Sequence, residues 1–185
     1  MSEMGTRRLV LTPWTAELAK DFVALLARPE LVRFGYGRPP TPSMALGRLS
    51  EIVLEWETNG FGAYAIRERE SGVIGGYAGV HVPQTIPELA PLLEVGVRVV
   101  AEWWGKALAF EAMVPIMNFA FEVLNAPGVA GVFLPANTAA RNMNQALGMS
   151  FHSQVVRPGT GMLLEVHRAT RDDWQDVKHR HGLEG

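Results

Sequence analysis

Glu94-Val-Gly-Val-Arg-Val-Val-Ala-Glu-Trp-Trp-Gly-Lys-Ala-Leu-Ala-Phe-Glu111 is the stretch whose reading decides the fold. Residues 92–100 are rich in β-branched side chains and read as a strand. Gly105 and Lys106 mark a short loop, and helical spacing follows to Leu124. A strand that hands over to a helix leaves amide N–H groups unpaired at the helix N-terminus, with the positive end of the dipole behind them. Such a loop can cradle an anion, and the small residues Gly105, Ala107 and Ala109 let a phosphate approach the backbone. A Walker loop does not fit, because Ala107 rather than Ser or Thr follows Lys106. Gly75-Gly76-Tyr77-Ala78-Gly79 is a weak dinucleotide signal, since no helical pattern follows it. Taken alone, the loop could equally be an ordinary strand-to-helix connection.

Toward the N-terminus, Leu9-Val10-Leu11 reads as a strand ended by Pro13. A helix over 16–27 follows, with Leu18, Phe22, Leu25 and Leu26 at helical spacing and Pro29 closing it. Gly35, Gly37, Pro39, Pro40 and Pro42 make a loop before a second helix over 43–58, which Asn59-Gly60 stops. Residues 63–67 and 73–81 read as an antiparallel hairpin. Toward the C-terminus, Pro115 predicts a bend in the helix over 105–124. Residues 129–134 form an apolar strand, 137–147 a helix closed by Gly148, and 151–156 with 162–168 a final strand pair. The order β-α-α-β-β-β-α-β-α-β-β describes a mixed α/β fold, a largely antiparallel sheet flanked by helices with one strand-helix-strand crossover. One domain over 6–174, with a short polar tail over 175–185, accounts for the chain.

Composition narrows the function. The 185 residues suffice for one core without staples. With 48% hydrophobic and 19% charged residues, the chain is far from the signature of disorder. Seventeen basic against nineteen acidic residues give a net charge of −2, so no global field draws the protein to nucleic acid or an anionic membrane. The absence of cysteine excludes disulfides, thiolate zinc sites and an acyl-cysteine intermediate. The opening residues carry no apolar segment of the kind that directs export, so a cytoplasmic location is expected. The uncharged stretch 123–140 is broken by Pro127, Gly128, Gly131 and Pro135 and does not read as a membrane span. His179 and His181 lack carboxylate or thiol company, so no metal site is expected.

Trp104-Gly105-Lys106-Ala107, with Ala109 and Glu111, resembles the acetyl-CoA loop of the GNAT superfamily of N-acetyltransferases. The strand Glu94-Val-Gly-Val-Arg98 resembles that of its RimJ/RimL-type branch, which acetylates ribosomal-protein N-termini. Arg8-Leu9-Val10-Leu11, Asn137-Thr-Ala-Ala-Arg141 with Leu147-Gly148-Met149, and Thr170-Arg-Asp-Asp-Trp174 resemble further segments of that branch in the right order. The resemblance implies a GNAT fold with splayed central parallel strands, here 92–100 and 129–134. It implies that the backbone of Val97, Arg98 and Val99 binds pantetheine. Trp104, Gly105, Lys106, Ala107, Leu108 and Ala109 would form the pyrophosphate loop, and Asn137 would contact pantetheine or an ordered water. Asn137 also reads as a helix N-cap by position alone.

The implied reaction is direct transfer from acetyl-CoA to a primary amine, without metal, with a peptide or protein N-terminus as the favoured acceptor. A small-molecule amine such as an aminoglycoside or polyamine is the competing acceptor, and a homodimer is compatible with the sequence. Glu94 is the first candidate to deprotonate or attract the amine, and His81 the second. The acceptor pocket is expected from the first two helices and the loops 35–42 and 83–91. Glu111 is expected to be a structural partner of a nearby base. Three departures stand out: Ala107 where the family usually has glycine, Phe110 where it has a small hydroxyl residue, and Ala140 where the branch often has serine. With the tyrosines Tyr36, Tyr64 and Tyr77 all preceding the loop, water is left to protonate the departing thiolate. A non-catalytic acyl-CoA-binding module and an interaction domain are the readings that dispense with turnover.

Overall fold

The computed structural model describes residues 3–34, 37–83 and 86–183. Its strands are β1 (Met4–Gly5), β2 (Leu9–Pro13), β3 (Ala63–Glu68), β4 (Ile74–His81), β5 (Leu93–Val99), β6 (Val129–Phe133), β7 (Ser150–Val156) and β8 (Leu163–Ala169). Its α-helices are α1 (Ala19–Leu26), α2 (Pro29–Val32), α3 (Pro42–Asn59), α4 (Leu108–Asn118), α5 (Thr138–Ala146) and α6 (Arg171–His181). The strands hydrogen-bond in the order β1-β2-β3-β4-β5-β6-β8-β7. The mixed, mostly antiparallel sheet expected from the sequence is present. The chain divides into two compact units, one of residues 1–80 and 97–116, the other of residues 81–96 and 117–185.

In the first unit β1 to β4 form an antiparallel meander with a bulge at Ile66/Arg67. Helix α3 starts as local chemistry requires. Thr41 caps it by accepting from the Met44 amide, Pro42 occupies the first turn, and Gly60 ends it in the left-handed conformation at φ 75°. Its buried face is Ala45, Leu49, Ile52 and Trp56. The Trp56 indole donates to the Ala63 carbonyl at 2.8 Å and meets Tyr64 edge to face, which fixes the helix on β3. Pro29, expected to close the first helix, opens α2 instead. Proline lacks the N–H that the first helical position leaves unpaired, so it fits there.

In the second unit β6 pairs antiparallel with β8, and β8 with β7. Against β5, β6 makes parallel pairs only at Leu93–Val129 and Glu94–Ala130, although both strands run on beyond them. This is the splayed parallel pair that the resemblance implied. Ile86, Leu89, Ala130, Leu164 and Val166 form a buried cluster on one face of these strands. Helix α4 continues through Pro115 to Asn118 and passes into a π-helical turn over Phe119–Val123, so the proline is carried inside the helix. Residues 175–181 continue α6, which a reciprocal Thr170–Asp173 capping box starts and which buries Trp174 and Val177. The Trp174 indole donates to Asn118 at 2.8 Å.

Gly148 ends α5 at φ 81°, and a Cβ there would stand 2.9 Å from the Asp173 carbonyl oxygen on α6. Gly148→Ala should therefore lower the free energy of unfolding by about 2–3 kcal/mol, from left-handed strain plus overpacking. Urea denaturation followed by circular dichroism checks this, and a loss below about 0.5 kcal/mol would show that α6 yields freely.

Candidate functional site

The segment that joins β5 to α4 is built from the first unit. Val100 donates to the Gly75 carbonyl at 2.8 Å, and a 3-10 turn over Ala101–Trp103 then reverses the chain. Trp103 is buried against Gly75, whose missing side chain makes the room. The Arg28 guanidinium holds Glu30 and Glu102 together at 2.8 and 2.7 Å, and Glu30 accepts from the Ala101 amide. Trp104 is 59% exposed and its indole donates to the Val99 carbonyl at 3.3 Å, so it lies along the loop rather than in the core.

Gly105 has φ 71° and Ala107 φ 57°, so both stand in the left-handed region with Lys106 between them. Successive turns of this kind aim backbone N–H groups in a common direction and make a concave anion site. Among the described residues, none accepts a hydrogen bond from the amides of Gly105, Ala107, Leu108 or Ala109. A Cβ built on Gly105 would meet nothing within 4 Å, so the space beside the loop is open. Leu108 points into the core, whereas residues 104–107 are exposed. Open amides at the start of α4 fit the pyrophosphate of a nucleotide cosubstrate.

Glu111 secures the loop from behind. Its carboxylate accepts from the Thr6 hydroxyl at 2.6 Å, the Arg8 amide at 2.8 Å and the Arg8 guanidinium at 2.6 Å. The same guanidinium donates to the Lys106 carbonyl at 3.1 Å. Burial alone would raise the Glu111 pKa, but these hydrogen bonds and the Arg8 charge outweigh it and hold it below the usual glutamate value. Glu111 is the structural partner of a base that the sequence suggested.

On β5, Val97, Arg98 and Val99 are half-buried. Arg98 donates to the Leu31 carbonyl of α2 at 3.0 Å, and its guanidinium lies 5.9 Å from the centre of the Tyr77 ring. β4 and β5 are neighbours in the sheet, and Val100, just beyond β5, donates to the Gly75 carbonyl. His81 and Glu94 are half-buried, and both belong to the second unit. Glu94 also stands at the last parallel pair with β6, the point where β5 and β6 cease to bond.

Asn137 caps α5, accepting from the Ala140 amide at 3.1 Å. The sequence missed the group that anchors this cap. Arg141 donates to both oxygens of Glu165 at 2.9 Å and to the Pro135 carbonyl at 2.8 Å, tying the start of α5 to β8. His167 lies beside them, 2% exposed, with its Nε2 3.7 Å from Glu165. Burial first, and Arg141 after it, push the His167 pKa down against the pull of Glu165. The clue was the Arg that ends Asn137-Thr-Ala-Ala-Arg141, but its partner lies on a strand that periodicity cannot pair.

Of the three tyrosines, Tyr64 is buried in the core, and burial pushes its phenol up to about 12. Tyr36 lies outside the described residues, as do Gly35, Gln84 and Thr85 of the two loops expected to line the acceptor pocket. Among the described residues no cluster of histidine, aspartate and glutamate has the form of a metal site, and no helix is long and apolar enough to cross a membrane.

Comparison with known proteins gives the family. The sequence model described as acetyltransferase (GNAT) domain matches residues 8–150, and the chain belongs to that family. It is a GNAT-type N-acetyltransferase. An acetyltransferase from Agrobacterium tumefaciens is similar at 25% identity and TM-score 0.76, covering 92% of this chain and 95% of its own. A GCN5-related N-acetyltransferase from Brucella melitensis superposes with TM-score 0.76 at 15% identity, over 98% of this chain and 84% of its own. A ribosomal-protein-S5-alanine acetyltransferase from Vibrio fischeri does so with TM-score 0.74 at 16% identity, over 94% of this chain and 99% of its own.

Two outcomes test the loop. Ala107→Gly removes a left-handed alanine worth about 1–2 kcal/mol of strain at a chain-entropy cost of somewhat under 1 kcal/mol. Its unfolding free energy should therefore match or exceed the wild type, and a clear loss would mean that the methyl is packed. Glu111→Gln should be less stable than the wild type above the usual glutamate range. Because the folded pKa is lowered, that difference should vanish as the pH falls through the folded value. Unfolding midpoints measured as the pH is lowered from 7 read this out, and a difference that does not narrow as the pH falls below the usual glutamate range would show a packing role.

Proposed function

We propose that residues 6–174 act as one acetyltransferase domain that binds acetyl-CoA and acetylates a primary amine, with a peptide or protein N-terminus as the favoured acceptor. The observation that carries the reading is the set of open amides at Gly105, Ala107, Leu108 and Ala109, backed by the family match over 8–150. The pyrophosphate would rest on these amides and the Lys106 side chain, and the backbone of Val97 to Val99 would hold the pantetheine. Asn137 is engaged as an N-cap, which leaves its side-chain amide group able to donate to the pantetheine or an ordered water.

Acetyl-CoA supplies an activated acetyl thioester, whose carbonyl takes up the amine and whose thiolate leaves with a proton from water. The chain handles the other proton. An ammonium must become an amine before it attacks, and Glu94 is suited to receive that proton directly or through water. Its support is its position where β5 stops pairing with β6. His81, at the end of the neighbouring strand β4, is the second candidate for that role. A backbone N–H of residues 97–99 would stabilise the negative charge that develops on the thioester oxygen.

For the acceptor, the likeness to a ribosomal-protein acetyltransferase favours a protein N-terminus. A small-molecule amine is the competing reading, since the loops that would line the pocket include residues outside those described. A cytoplasmic setting fits the absence of cysteine.

Calorimetric titration with acetyl-CoA should show saturable micromolar binding, and no binding at millimolar concentration would sink the reading. Release of free thiol from acetyl-CoA should then depend on an amine, tested with alanine- and serine-headed peptides, spermidine and an aminoglycoside. Glu94→Gln should lower kcat/KM at neutral pH by about 100-fold or more. An unchanged value would remove Glu94 from proton transfer.

A further inference from the structure

The strand registers of the second unit place one charged residue where the family resemblance did not direct attention. Glu94 on β5 pairs with Ala130 on β6, Ala130 pairs with Arg168 on β8, and Arg168 pairs with Ser150 on β7. Directly opposed residues leave a sheet on the same face. Glu94 and Arg168 therefore stand on one row, about 10 Å apart at two strand spacings, with only a methyl group between them.

Arg168 differs from the other arginines that anchor this fold. Arg8, Arg28 and Arg141 each hold a carboxylate. Among the described residues nothing forms a hydrogen bond or an ion pair with the Arg168 side chain, whose Nε is buried although the residue as a whole is half-exposed. An arginine on a sheet face with its Nε out of water and no partner costs stability, so a role outside local pairing is called for. Ala130 is buried with Ile86, Leu89, Leu164 and Val166, so the space over the row is apolar. Charges separated by apolar atoms are screened less than charges separated by water.

From these registers we propose that Arg168 is a positioning residue whose charge helps to keep Glu94 ionised, acting along the sheet row across Ala130. The proposal rests on Glu94 as the proton acceptor and adds to that reading a residue that touches neither substrate. On the same row Ala130 of β6 and Ser150 of β7 are uncharged, and Glu88 in the turn over Pro87–Leu89 is exposed. A neighbouring cation favours the carboxylate, so Arg168 acts in the direction a base at neutral pH requires.

The test reads Glu94 itself. In protein labelled with carbon-13 at the glutamate carboxyl, the Glu94 resonance is assigned by its loss in Glu94→Gln, and its titration midpoint is followed by NMR. Arg168→Met should raise that midpoint by about one pH unit, the size expected for a charge some 10 Å away at an effective dielectric near 20. Arg168→Lys should restore most of the wild-type midpoint, and the acidic limb of the kcat/KM profile should move with it. If Arg168→Met does not fold, Arg168→Gln makes the same measurement with a smaller change of shape. An unchanged Glu94 midpoint in a folded variant overturns the proposal, and so does a uniform loss of activity with no shift of the limb. Full activity in Glu94→Gln would instead sink the reading of Glu94 as base, a separate result from the titration.

Discussion

The carboxylate of Glu111 is the interaction on which the loop before α4 depends. It gathers three hydrogen bonds from residues 6 and 8 onto the first turn of α4, and through Arg8 it reaches the Lys106 carbonyl. A loop with two left-handed residues and open amides is costly to hold by itself, because its polar groups have no partners of their own. The clamp supplies the missing restraint from the opposite side, where no ligand needs access. Remote chain, helix and loop are thereby fixed by one half-buried carboxylate, both of whose oxygens are satisfied.

A second restraint works on the turn before the loop. Arg28 bridges Glu30 and Glu102, Glu30 receives the Ala101 amide, and Trp103 fills the space left by Gly75. The loop is thus held at both ends by side chains while its own backbone stays open. The second unit repeats the device at the start of α5. Arg141 joins Glu165 to the Pro135 carbonyl, and Asn137 is then placed by the turn that Arg141 fixes. In both places an arginine binds a carboxylate bidentately or in a network and spends a remaining N–H on a backbone carbonyl next to a candidate binding residue.

Much of this was legible in the chain. The strand and helix patterns named the main elements to within a few residues, because each buries one face with a fixed period. Elements whose signal is short or tertiary were lost. Met4–Gly5 is a strand only through its pairing with β2, and α2 is a single turn that Pro29 starts rather than stops. Residues 175–181 read as a polar tail because α6 buries only Trp174 and Val177, too few positions to set a helical period. Of the proposed site, the loop 104–109 could be seen as a change of pattern, whereas the anchoring pair Arg141–Glu165 could not.

By itself the sequence determined a mixed α/β chain with a strand-to-helix loop of small residues, since periodicity and glycine placement are local properties. Only tertiary structure decided that Ala107 takes the left-handed conformation, that Glu111 clamps the loop from behind, and that Glu94, Ala130 and Arg168 share one row. The reason is physical. Local preference fixes the direction of a few bonds, but register across strands and the partner of a buried charge are set by which segments can bury apolar surface together. No single stretch of chain carries that information.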